Sequence, residues 1–288
     1  MHEAVRSMLE GYRCSSFSDY QNALRDVLQR LALLGLWRSK FFQHAAFYGG
    51  TALRMLYGLD RYSEDLDFTL LSENRSFSFD GYADALRNEI AAFGFHVEFE
   101  SPEKDRTGQI ESAFLKADTN SLLLVVNAGG NIMRGVHPGK SLKIRLEVDT
   151  DPPGGFETEV RYLLEPIPFS VRTCTMPDLF AGKLHAVLCR RWRNRVKGRD
   201  WYDMVWYAGH HAGVRLSHLE ERMRQSGDYH DTEALSITRL RSLLQNAADS
   251  LDIDQARSEV SRFVPDPQVL EVWSHEFFHH TIGLINAV

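Results

Sequence analysis

Apolar residues alternate with polar ones along two runs of the chain. In Asp65–Leu71, Leu66, Phe68 and Leu70 share one face, while Asp65, Asp67 and Thr69 share the other. Ser141–Asp149 repeats the pattern, with Leu142, Ile144, Leu146 and Val148 inward and Lys143, Arg145, Glu147 and Asp149 outward. A period of two predicts half-buried strands. Shorter strand-like runs stand at Phe95–Glu100, Ile110–Ala117 and Leu122–Asn127. Ser18–Trp37 has a different spacing: Tyr20, Leu24, Val27, Leu28, Leu31 and Leu34 recur every three or four residues, which predicts an amphipathic helix with Ser18 as its N-cap. Ala45–Tyr48 runs into a Gly49-Gly50 turn, and short helices are predicted at Thr51–Tyr57 and Tyr82–Phe93.

Pro152-Pro153-Gly154-Gly155 breaks the pattern, and two more short strands are predicted before Met176. From there the spacing is helical: Asp178–Cys189, Asp200–His211, Leu216–Arg224, Thr232–Asp249, Asp254–Phe263 and Gln268–Ile285. The expected fold class is α+β, a mixed sheet with flanking helices over residues 1–175, followed by an all-helical lobe over 176–288.

Composition narrows the function classes. The 288 residues are 43% hydrophobic and 25% charged, enough for a full core. A net charge of −6 excludes a protein that coats nucleic acid by bulk electrostatics. Three widely spaced cysteines, Cys14, Cys174 and Cys189, argue against a disulfide framework and fit a reducing compartment. With no secretory signal and no apolar run of about 18 residues, the expectation is a cytoplasmic protein without a membrane partner.

The chemistry concentrates in Phe47-Tyr48-Gly49-Gly50-Thr51-Ala52-Leu53-Arg54, followed by Arg61-Tyr62-Ser63-Glu64-Asp65-Leu66-Asp67-Phe68. Two glycines let backbone N–H groups approach a ligand, and the helix behind them aims its amides at an anion. Thr51 can add a hydroxyl to a phosphate oxygen. Asp65 and Asp67, two apart on a strand, project from one face as paired hard donors that suit Mg2+. Glu147 is the expected third carboxylate on a neighbouring strand, with Asp149 on the same face as the fallback.

This arrangement resembles the polymerase β nucleotidyltransferase superfamily. The fuller strings Gly-Gly-Thr-Ala-Leu-Arg and Arg-x-Ser-Glu-Asp-Leu-Asp-Phe are similar to the AbiEii/MenT family of nucleotidyltransferase toxins. Asp178-Leu179-Phe180-Ala181-Gly182-Lys183-Leu184 resembles that family's Leu-x-x-x-Lys helix, and Gly198-Arg199-Asp200-Trp201-Tyr202-Asp203 its Arg-Asp-x-Tyr-Asp motif. The resemblance implies a polymerase β-like core and an NTP held by Gly49, Gly50, Thr51, Ser63 and Lys183. It makes Asp65 and Asp67 catalytic, with Lys183 on the triphosphate. Asp200 becomes a second acid that activates the acceptor or orients Lys183, and Asp203 a supporting residue. It also implies a tRNA 3′ end as acceptor and a separate antitoxin as partner. A small-molecule acceptor such as an aminoglycoside, a protein hydroxyl, or a non-catalytic nucleotide-binding module are the alternatives.

Residues 190–199 carry six positive charges, and no acid occurs from Leu179 through Arg199. Such a patch suits either NTP phosphates or an RNA acceptor, with Trp192 able to stack on a base. Two other motifs mislead. His275-Glu276-Phe277-Phe278-His279 spells a zinc-protease signature, but the nine residues after His279 leave no room for a later helix to bring a third ligand. Gly135–Ser141 is one residue short of a phosphate-binding Walker loop and leads into a strand rather than a helix.

Overall fold

The computed structural model describes residues 2–102, 109–118, 141–190 and 196–288. The expected run at 122–127, the connection at 135–140 and the basic residues 191–195 lie outside them. The chain forms two compact units. The first comprises Met1–Ala52, Glu64–Pro152 and Val160–Thr173; the second comprises Leu53–Ser63, Pro153–Glu159 and Cys174–Val288. Two short stretches that precede residue 176 therefore belong to the helical unit.

Among the described residues, the sheet unit is built on one mixed sheet of seven strands: β1 (Ala45–Tyr48), β2 (Asp65–Leu70), β3 (Glu98–Glu100), β4 (Ile110–Asp118), β5 (Ser141–Asp149), β6 (Thr158–Leu163) and β7 (Phe169–Cys174). Their order is β3-β4-β5-β2-β1-β7-β6. Central β2 pairs antiparallel with β1 and parallel with β5, and β1 runs parallel to β7. The alternation seen in the sequence sets which face of β2 is covered. Leu66 and Phe68 are fully buried, and Phe68 meets its register partner Phe47 at 5.4 Å and Phe41 edge-on at 4.9 Å.

Helices α1 (Glu3–Glu10), α2 (Phe17–Arg38), α3 (Gly49–Tyr57) and α4 (Ala83–Ala92) accompany the strands. The cap of α2 is Ser16 rather than Ser18. The Ser16 hydroxyl accepts from the Asp19 N–H, and the Asp19 carboxylate accepts from the Ser16 N–H at 2.7 Å, a reciprocal pairing open only to a serine three residues before an acid. Helix α2 buries Leu24, Val27, Leu28, Leu31 and Leu34. At Gly35 it comes so close to α4 that a Cβ would lie 3.3 Å from the Glu89 Cβ, so only hydrogen fits comfortably.

The helical unit contains α5 (Met176–Cys189), α6 (Gly198–Gly209), α7 (Leu216–Gln225), α8 (Ile237–Asp249), α9 (Ile253–Ser261) and α10 (His275–Leu284). Helix α8 starts five residues later than the periodicity suggests, where the Ser236 hydroxyl accepts from the Arg239 N–H. The long helix expected at Gln268–Ile285 is split. A 3-10 turn spans Pro267–Leu270, and α10 restarts behind its own cap, Ser274, which accepts from the Phe277 N–H at 3.1 Å. Phe180 stacks on Tyr207 at 4.5 Å and Trp201 meets Phe278 at 5.0 Å in the core. Among the described residues no helix is long and apolar enough to cross a membrane.

Candidate active site

Asp65 and Asp67 lie two apart on β2, both half-buried, with buried Leu66 and Phe68 pointing the other way. They therefore share a face. The residue opposite Asp67 is Tyr48, the last of β1, and the chain turns immediately after it. Gly49 has φ +81°, the left-handed region, and a Cβ there would overlap the Asp67 carboxylate oxygen. Glycine is required twice, once for the dihedral and once for the close approach. The turn and the acid consequently touch.

Two buried polar side chains hold the strand in place. Gln29, inside α2, donates to the Glu64 carbonyl at 3.0 Å, just ahead of Asp65. The fully buried Thr51 donates its hydroxyl to the Asp65 carbonyl. This corrects the expectation for Thr51: a hydroxyl has one proton, and here it ties the turn to the strand instead of facing a phosphate. Gly50 lies in the first turn of α3, whose opening N–H groups have no intrahelical acceptor. Ser63 sits half-buried in the irregular approach to β2.

Glu147 stands opposite Asp67 in the parallel register of β2 and β5. Its carboxylate turns to Arg145, two residues back on the same face, at 3.0 Å. No trio of carboxylates containing Asp65 and Asp67 brings one oxygen each within 4.8 Å of the others among the described residues. The expected trio of carboxylates is thus not drawn together among the described residues, and Glu147 is held toward its own strand neighbour. Asp149 is occupied as well, accepting from the Asp151 N–H at 3.1 Å. Two hard carboxylates beside a glycine turn still fit Mg2+, which commonly takes one or two protein carboxylates and fills its sphere with water and phosphate oxygens.

In the helical unit, Lys183 projects from α5 into a buried ionic chain. Its Nζ lies 2.6 Å from Asp200 Oδ1 and 2.8 Å from Asp203 Oδ2. Asp200 and Asp203 are three apart on α6, so both point to one side of that helix. Asp203 is fully buried and also accepts two bonds from Arg61, Nε to Oδ1 and Nη2 to Oδ2, each 2.6 Å. Burial works against the Arg61 charge, but Asp203, backed by Asp200 and Glu259, outweighs it and raises its pKa. Burial would also raise the Asp200 carboxyl, yet the Lys183 ammonium, helped by Arg190 and Lys197, holds it down at about 2. Asp200 does not cap its helix: α6 begins at Gly198, and the Asp200 side chain goes to Lys183.

The Arg61–Asp203 pair of the helical unit was not announced by any local sequence pattern. The zinc-like motif stays rejected: His275 Nδ1 donates to the Ala248 carbonyl at 2.8 Å, and His279 Nε2 meets Asp249 at 2.7 Å. Among the described residues, His185, Cys189 and Asp228 do come within 4.8 Å of one another, and the Ser226 hydroxyl lies 3.0 Å from His185 and donates to Asp228 at 2.7 Å.

Residues 31–277 match the family model described as nucleotidyl transferase AbiEii toxin, type IV toxin–antitoxin system. Among solved structures, JHP933 from Helicobacter pylori is similar at 18% identity and TM-score 0.51, over 90% of this chain and 88% of that one. A second H. pylori protein, assigned provisionally as a nucleotidyltransferase, is similar at 19% identity and TM-score 0.49, over 92% of each chain. At such identities the likeness of JHP933 speaks to the fold. No curated protein matches the chain at a significant level.

Proposed function

The chain belongs to the AbiEii nucleotidyl transferase toxin family of type IV toxin–antitoxin systems, and from that premise we propose a magnesium-dependent transfer of a nucleotide from an NTP to the 3′-hydroxyl of tRNA. The observation that carries this reading is the contact between the Gly49 turn and the Asp67 carboxylate, with Asp65 on the same face. Asp65 and Asp67 would hold the ion, whose charge neutralises the triphosphate and favours pyrophosphate departure. The N–H groups opening α3, which have no acceptor within their own helix, would serve as donors to the phosphates.

Lys183 adds a compact positive charge for the triphosphate. Asp200 is a poor proton acceptor because its carboxyl is held at about 2. Its part is to orient Lys183, and Asp203 with Arg61 locks the other side of that ammonium. In the transfer the acceptor oxygen bonds to the α-phosphorus, the bond to pyrophosphate breaks, and the hydroxyl proton leaves to solvent. An RNA acceptor is favoured by the cations Arg190, Lys197 and Arg199 in a chain of net charge −6. Family membership brings with it a cognate antitoxin.

The test incubates the protein with each labelled NTP, Mg2+ and either tRNA, total cell protein or an aminoglycoside. Label is expected on tRNA, lost with Asp65→Asn or Asp67→Asn. Label confined to protein or to the small molecule would refute the RNA acceptor.

A further inference from the structure

Helices α5 and α7 pack against each other in the helical unit, and three donor side chains converge near their C-terminal ends. His185 and Cys189 are four apart on α5, so they share one face. Asp228 comes from the turn that closes α7. Gly227 there has φ +74°, and the Asp228 N–H donates back to the Met223 carbonyl at 2.8 Å, the six-to-one bond of a glycine-terminated helix. Neighbouring Tyr229 is buried, and its own N–H also reaches the Met223 carbonyl, at 3.2 Å. The backbone therefore fixes the turn that carries the Asp228 carboxylate to α5.

One donor atom from each of the three residues lies within 4.8 Å of the others, and all three residues are half-buried. Tetrahedral Zn2+, about 2.0–2.3 Å from nitrogen, oxygen or sulfur, needs donors about 3.3–3.6 Å apart, a closure that side-chain rotation can supply. Each donor suits that ion. Burial first, and then Arg222, hold the His185 pKa down at about 4, so its imidazole is neutral near pH 7 and carries a lone pair. A metal-bound imidazole donates its other N–H to an oxygen, and the Ser226 hydroxyl, 3.0 Å from Nε2, offers one. The same hydroxyl donates to Asp228 at 2.7 Å, and a carboxylate has a second oxygen for the ion. Arg222 and Arg190, which oppose a charge on His185, would also oppose a bare cation. A thiolate and a carboxylate bound to the ion offset its two charges directly.

We propose that His185, Cys189 and Asp228 form a Zn2+ site that ties the end of α5 to the turn after α7, with water in the fourth position. Sulfur and imidazole nitrogen discriminate against Mg2+, which prefers oxygen, so this trio and the Asp65–Asp67 pair would select different ions. The site stands whether or not the acceptor in the transfer reaction is tRNA.

Co2+ reports on such a site, because a cobalt–thiolate bond gives a near-ultraviolet charge-transfer band that oxygen and nitrogen ligands lack. Titrating the full chain with Co2+, in excess Mg2+ and a non-chelating reductant, should raise that band to saturation at one equivalent, and Zn2+ should then remove it by displacement. Cys189→Ser should lose the band, while Cys14→Ser keeps it. His185→Gln and Asp228→Asn should each raise the Kd for Zn2+ at least about tenfold, read by competition with a chromophoric chelator. Zn2+ should raise the melting temperature of the wild type and leave that of Cys189→Ser unchanged, a split that a merely structural cysteine would not give. A missing band, a band that survives Cys189→Ser, or a smaller rise in Kd in either of the other variants overturns the proposal. If His185→Gln melts early, Asp228→Asn, on a turn held by its backbone, decides alone.

Discussion

Replacing Asp203 by alanine removes the carboxylate that two buried cations share. Arg61 would keep its Nη1 bond to the Tyr62 carbonyl at 2.8 Å but lose both 2.6 Å bonds to Asp203, in a position only 3% exposed. Breaking a buried pair from one side costs about 3–5 kcal/mol because the remaining charge is stranded. With a urea slope of about 2 kcal/mol/M, the midpoint should drop by about 1.5–2.5 M. Trp201, Trp206 and Trp273 all lie in the helical unit and report the transition by fluorescence. The double variant Arg61→Met/Asp203→Leu removes both charges, so most of the stability should return. Transfer activity should stay low, since Lys183 has lost its 2.8 Å partner. Asp203→Ala within 1 kcal/mol of wild type, or a double variant with full activity, would refute the account.

Three more outcomes are expected. Gly49→Ala should lower the melting temperature modestly, for a left-handed alanine costs about 1–2 kcal/mol, yet nearly abolish transfer because its Cβ displaces the Asp67 carboxylate; initial rates and melting curves separate the two effects. Asp67→Asn should slow transfer about a thousandfold, some 4 kcal/mol of barrier, while Glu147→Gln, already turned to Arg145 at 3.0 Å, stays within about tenfold; a reversed order would restore the three-carboxylate clamp. His185 and His218 are pushed down to about 4, by burial first and then by Arg222. The unfolded chain takes up their protons near pH 6.5, so stability should be full above that and fall as pH drops toward 4. Urea midpoints measured between pH 8 and 4 check this, and a flat profile would contradict it.

The strands were legible because a period of two carries over many residues: Ser141–Asp149 has the same bounds in the sequence pattern and in the structure. The face shared by Asp65 and Asp67 followed from the same period. Rotamers did not. Alternation puts Glu147 on that face but says nothing of Arg145 capturing it. Helix starts failed where several serines competed: Ser15, Ser16 and Ser18 are all potential caps, and it is the Ser16 hydroxyl that accepts from the Asp19 N–H. The long C-terminal helix failed because its apolar spacing continues through a break that only the Ser274 cap reveals. Arg61 and Asp203 are 142 residues apart, beyond any local pattern.

That separation bears on the order of events during synthesis. The Gly49 turn, Asp65 and Asp67 leave the ribosome early, whereas the carboxylate that neutralises Arg61 follows 142 residues later. At about 5–20 residues per second the interval is about 7–28 s. Throughout it Arg61, destined for the interior, lacks its Asp203 partner, so the anchored form of the 53–63 segment cannot mature before that residue has been made.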